Sequence, residues 1–125
     1  MQLWFDSAEV FIGGRWYLPE SGETLPLENP STGEEIGRIA RGQAADIDAA
    51  VQAARGALAG EWGAMTAAER GRVMMRLSWL ISQKIDALAE IEATDVGKPL
   101  AQAKSDAVAL ARYMEFYGGA ADKVM

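Results

Sequence analysis

With 125 residues, half of them apolar and 24% charged, the chain has the composition of about one soluble globular domain and is too hydrophobic for a disordered polymer. Its 12 basic and 18 acidic residues leave a net charge of −6 without a local Lys/Arg cluster, which opposes nucleic acid as a partner. Cysteine and histidine are both absent, so these residues can supply no disulfide framework, no credible zinc site and no thiolate nucleophile.

The first ten residues carry Asp6 and Glu9 and no basic leader, and the apolar runs fall short of the roughly 18 residues that span a bilayer. The expectation is a chain with no targeting signal and no membrane contact, cytoplasmic by default.

Residues 10–40 read as β structure. Val10-Phe11-Ile12 and Trp16-Tyr17-Leu18 are β-prone triplets around Gly13-Gly14-Arg15, and the paired glycines can supply the positive φ angles of a tight hairpin turn. A second hairpin is predicted from Thr24–Glu28 and Glu35–Ala40. Its turn is built on Asn29-Pro30-Ser31-Thr32-Gly33, where proline fixes one φ angle and glycine admits a left-handed one.

From residue 44 the period changes to 3.6. Ile47, Val51, Ala54 and Leu58 recur on one helical face, with Asp46 and Asp48 near the start and an end expected at Gly60. Thr66-Ala67-Ala68-Glu69 is a capping box opening a second helix, whose apolar face continues through Met74, Leu77, Ile81, Ile85 and Leu88 with a candidate break near Ser82-Gln83. Gly97 stops that segment, and Pro99 suits the first turn of the next helix. There Leu100, Ala103, Ala107, Leu110, Met114 and Tyr117 recur at steps of three and four, and Gly118-Gly119 is expected to weaken or end the helix. The fold class is therefore α+β, two β-hairpins followed by three or four helices.

Few residues carry chemistry. Neither glycine pair forms a G-x-G-x-x-G or P-loop pattern, and Gly97-Lys98-Pro99 lacks the upstream glycines of a phosphate cradle, so it reads as a helix boundary. Glu90 and Glu92 diverge on a helix, whereas Glu92 and Asp95 are one turn apart; a solvated face is the plainer reading, and a cation site including Asp95 is the alternative. The methionines and aromatics sit at helical spacing and read as core.

Five segments in order carry a resemblance. Phe11-Ile12-Gly13-Gly14-Arg15-Trp16, Asn29-Pro30-Ser31-Thr32-Gly33-Glu34, Trp62 to Arg72, Asp95-Val96-Gly97-Lys98-Pro99 and Phe116-Tyr117-Gly118-Gly119-Ala120-Ala121-Asp122-Lys123 together resemble the amino-terminal stretch of NAD(P)-dependent aldehyde dehydrogenases. The resemblance covers nearly the whole chain, residues 1–125 standing as the amino-terminal portion. It implies hairpins over 10–40 and, over 44–125, peripheral helices of a cofactor-binding domain whose parent fold is α/β and Rossmann-like.

The implied parent reaction is oxidation of an aldehyde to a carboxylic acid: thiolate attack, hydride transfer to NAD or NADP, then thioester hydrolysis. In the family the nucleophilic Cys, the general-base Glu and the cofactor loops come later in the chain, so these residues alone are expected to bind no cofactor and to be inactive. Resemblance carries over two sets of residues. Leu27 and Glu28, through backbone carbonyls, and Asp95 match a monovalent-cation site, and Ser105 and Ala109 match the entrance of the aldehyde tunnel. Expected partners are the remainder of the dehydrogenase or further copies of the chain. A stand-alone assembly or interaction module derived from this region is the competing reading, and a small enzyme of unrelated chemistry is a third.

Overall fold

The computed structural model describes residues 5–123, and its chain divides after Gly63 into two compact units. In the first, β1 (Val10–Ile12) pairs antiparallel with β2 (Arg15–Tyr17), Ile12 opposite Arg15. The intervening Gly13 and Gly14 have φ of 62° and 80°, the two left-handed residues that match a hairpin turn to the twist of its strands. Trp16 covers this hairpin, stacking on Phe5 at 5.4 Å and meeting Phe11 at 5.0 Å between ring centroids.

The second hairpin joins β3 (Thr24–Glu28) to β4 (Glu35–Ala40). Asn29 organises the turn: its carbonyl accepts from the Gly33 N–H at 2.7 Å and its side-chain oxygen from the Ser31 N–H at 2.9 Å, while Gly33 takes a φ of 73°. Leu27 faces Gly37 and Glu28 faces Glu35, so Ile36 is an extra residue and the strands bulge beside the turn. The Ser7 hydroxyl donates to the Arg38 carbonyl, holding the preceding segment on β4.

α1 (Ala44–Ala59) starts where the Asp46 carboxylate accepts from the Gln43 N–H at 2.8 Å. Its inward side is Asp46, Ala50 and Ala53, and a Cβ on Gly13 would lie 3.8 Å from the Ala53 methyl. Ile47, Val51 and Leu58, the face marked by hydrophobic periodicity, are exposed instead. Alanine lets a hairpin approach closely; the larger side chains project away from it. A one-turn helix, α2 (Glu61–Ala64), follows and has no counterpart in the sequence reading.

The second unit is helical. α3 (Ala67–Ser82) begins at the expected capping box: the Thr66 hydroxyl accepts from the Glu69 N–H, and the Glu69 carboxylate accepts from the Thr66 N–H at 2.7 Å. The break after Ser82 is real, and α4 (Ile85–Val96) follows it. Gly97, at φ 73°, ends α4 with its N–H on the Ala93 carbonyl.

α5 (Leu100–Ala120) keeps Gly118 and Gly119 helical and ends one residue beyond them, close to the expected stop. The reason is packing. Gly118 is buried against Gly71 of α3, where a side chain on either helix would meet the other's backbone. The inward face of α5 is Ala103, Ala107, Ala111, Met114 and Gly118, with the Ser78 hydroxyl donating to the Ala111 carbonyl at 2.7 Å. Leu100, Leu110 and Tyr117 of the expected apolar stripe lie on the exposed side. Small residues permit short interaxial distances and face inward, while bulky ones flank the contact.

Candidate functional site

A polar cluster sits at the corner between α4 and α5. Only Gly97, Lys98 and Pro99 separate these helices, and Ala89 of α4 and Ala103 of α5 are both fully buried. Such a short turn leaves Lys98 between two carboxylates. Its ammonium donates to Glu92 of α4 and, at 2.8 Å, to Asp106 of α5; the second Asp106 oxygen accepts from the Gln102 amide at 3.0 Å.

Hydrogen bonds to Asp106 and then Glu92 raise the Lys98 pKa above its ordinary range. The reciprocal bond from Lys98, followed by that from Gln102, holds the Asp106 carboxyl below the usual carboxylate range. All three charged side chains are partly shielded from solvent, a setting in which ion pairs are screened less than on open surface.

An open groove of about 440 Å³ beside this corner includes Glu92, Asp95 and Asp106 among apolar residues of both helices. Thus Glu92 and Asp95 do border one space, but Glu92 is engaged by Lys98. Glu90 is exposed and does not line this groove, and its backbone carbonyl accepts from the Thr94 hydroxyl. Among the described residues no group of three or more His, Cys, Asp or Glu side chains is arranged to hold a metal ion.

The other carried-over positions have separate settings. Leu27 is half-buried and Glu28 exposed at the β3–β4 bulge, both in the first unit, whereas Asp95 lies in the last turn of α4 in the second. Ser105 and Ala109 are one helical turn apart on α5, on the side away from its alanine face, and the Ser105 hydroxyl donates to the Ala101 carbonyl at 3.1 Å. Lys98, Gln102 and Asp106 were missed as a group by the sequence reading. The available signal was the three-residue turn, which places Lys98 within reach of both helices, together with the i, i+4 pair Gln102–Asp106.

The decisive comparison is with known sequences: residues 16–125 match the profile of the aldehyde dehydrogenase family. The chain belongs to the aldehyde dehydrogenase family. Hydroxyisobutyraldehyde dehydrogenase of Mycolicibacterium austroafricanum is 40% identical over 115 residues, covering 92% of this chain and 23% of its own length. A crystal structure from Burkholderia cenocepacia assigned to the aldehyde dehydrogenases is 60% identical with a TM-score of 0.89, over 91% of this chain and 24% of that one.

The NAD+ complex of aldehyde dehydrogenase from Bacillus cereus superposes with a TM-score of 0.91 at 35% identity, over 96% of this chain and 25% of that one. The chain therefore corresponds to an amino-terminal segment of the aldehyde dehydrogenase fold and spans about a quarter of the length of the relatives it matches. None of its described helices is long and apolar enough to cross a membrane.

Proposed function

We propose that this chain is the amino-terminal part of an enzyme that oxidises an aldehyde to a carboxylic acid with NAD+ or NADP+. The family match over residues 16–125 carries the reading. The fold supports it, since solved members hold the same arrangement within chains about four times as long. With no Cys and no His in the sequence, the nucleophile and the cofactor loops come from the remainder of the dehydrogenase, which is the first partner of this segment; further copies of the whole are the second. The compartment is the cytoplasm.

Within that enzyme, the carbonyls of Leu27 and Glu28 and the carboxylate of Asp95 contribute to a monovalent-cation site. Supporting this role, Asp95 borders an open groove, and Leu27 and Glu28 flank the register shift beside the β3–β4 turn. Ser105 and Ala109 line the aldehyde entrance, where their small side chains leave room. A self-contained assembly module is disfavoured by the exposure of Trp79, Tyr113, Phe116 and Tyr117 on the helical unit.

The test is expression of the 125-residue chain alone and in one polypeptide with the reading frame that follows it. The longer polypeptide is expected to reduce NAD+ or NADP+ with an aldehyde, and the short one to give no signal. Aldehyde-dependent reduction by the short chain, proportional to its concentration, would overturn the assignment, as would a frame that continues into no Cys-containing dehydrogenase sequence.

A further inference from the structure

We infer that Lys98 is a positioning residue for the aldehyde entrance, fixing α5 against α4 so that Ser105 and Ala109 stand at a set distance from the rest of the tunnel. The inference rests on the proposed placement of that entrance. Its geometry is local to one corner. Lys98 bonds one carboxylate on each helix, and Asp106 is the immediate chain neighbour of Ser105 and three residues before Ala109.

Three observations make this bridge a determinant of helix position. The α4–α5 turn is three residues long, with Gly97 left-handed and Pro99 fixed in φ, so few torsions set the angle of the chain reversal. Ala89, Ala103 and Ala107 are buried and contribute only methyl groups to the packing near it, so the charged bridge adds a directional restraint to that packing. Finally, Glu92 and Asp106 both lie within bonding distance of one ammonium nitrogen, so removing that charge leaves two carboxylates as close neighbours across the seam.

Repulsion between them then acts to part the helices at the level of Ser105. A helix moves as a rigid rod over this length, and a shift of the entrance wall changes the fit of a bulky aldehyde more than that of a small one. Gln102 restrains only the far oxygen of Asp106 and belongs to α5 itself, so it cannot replace the link between helices.

The experiment uses the complete dehydrogenase polypeptide and compares a linear short-chain aldehyde with a branched bulky one. Lys98→Met is expected to change the ratio of the two KM values by about fivefold or more while kcat for the short aldehyde stays within about twofold, and Lys98→Arg is expected to restore the ratio. Asp106→Asn, which weakens the link from Lys98 to α5 without creating a like-charge pair, should shift the ratio in the same direction by a smaller factor and stands in where Lys98→Met does not fold.

Ala109→Leu tests the entrance itself. If Ala109→Leu leaves the ratio unchanged, the entrance is elsewhere and the role of Lys98 falls with it. If Ala109→Leu shifts the ratio but the Lys98 and Asp106 variants do not, or if they lower kcat for both aldehydes in parallel with a fall in melting temperature, Lys98 is merely structural and the inference is overturned.

Discussion

Gly71 on α3 and Gly118 on α5 are in backbone contact: a Cβ on Gly71 would fall 2.5 Å from the Gly118 carbonyl oxygen, and one on Gly118 would fall 2.9 Å from that of Gly71. Both neighbours are main-chain atoms, which cannot rotate aside. Gly71→Ala and Gly118→Ala should each destabilise the helical unit by about 1–3 kcal/mol, as overpacked cores do. Gly119→Ala is the control. Nothing lies within 4 Å of its Cβ position, so the gain in helix propensity should stabilise by about 0.5–1 kcal/mol. Urea midpoints for the three variants check the contrast, and equal effects at positions 118 and 119 would contradict the contact.

What the sequence showed and concealed follows from the range of each interaction. The Gly13-Gly14 turn, the Thr66–Glu69 box and the Gly97 stop are decided within four or five residues and were legible. The inward face of α5 was legible in part: Ala103, Ala107 and Met114 of the expected stripe do face inward. The same stripe also marked Leu100, Leu110 and Tyr117, which are exposed, and left out Gly118, whose burial depends on Gly71 in a different helix. Lys98 was concealed for the same reason: its partners Glu92 and Asp106 belong to helices on either side, and a boundary residue gives no local hint of two carboxylates.

Thr66→Ala should destabilise α3 by about 1 kcal/mol. The hydroxyl accepts from the Glu69 N–H and donates to the Glu69 carboxylate at 2.8 Å, so alanine removes both sides of that link while leaving the carboxylate on the Thr66 N–H position. Thr66→Ser should retain most of the stability. Thermal melts of the three proteins measure this, and identical midpoints for Ala and Ser would show that the cap does not contribute.

Stability should depend on pH at both ends of the range. Lys98 has its pKa raised above 10.5 by Asp106 and Glu92, so its contribution is complete below 10.5 and is lost as pH climbs through the folded value. Asp106, lowered from 3.8 by Lys98 and Gln102, and Glu69, lowered from 4.5 by the backbone and hydroxyl of Thr66, contribute fully above those values. Their contributions disappear as pH falls through the folded pKa values. Denaturant midpoints should therefore hold a plateau from about pH 5 to about pH 10 as far as these groups are concerned. Lys98→Met should flatten the alkaline limb, and Asp106→Asn should make the acid limb shallower; unchanged limbs would mean that the bridge does not persist in solution.

The last expectation concerns the uncovered side of α5. Leu110, Tyr113 and Tyr117 recur at three- and four-residue steps beside the alanine seam, and Phe116 is 68% exposed, with Trp79 of α3 at 60%. A patch of about 400 Å² covered at roughly 25 cal/mol per Å² contributes about 10 kcal/mol, comparable with the whole stability of a small domain. The isolated 125-residue polypeptide should consequently self-associate or bind an apolar dye. Leu110→Gln with Tyr117→Ser should weaken both effects without lowering the melting midpoint, because neither side chain belongs to the buried seam. Sedimentation velocity across a concentration series reads the outcome. A monodisperse monomer that binds no dye and melts cooperatively would mean that this face needs no cover, which favours a self-contained module over a segment of a larger dehydrogenase.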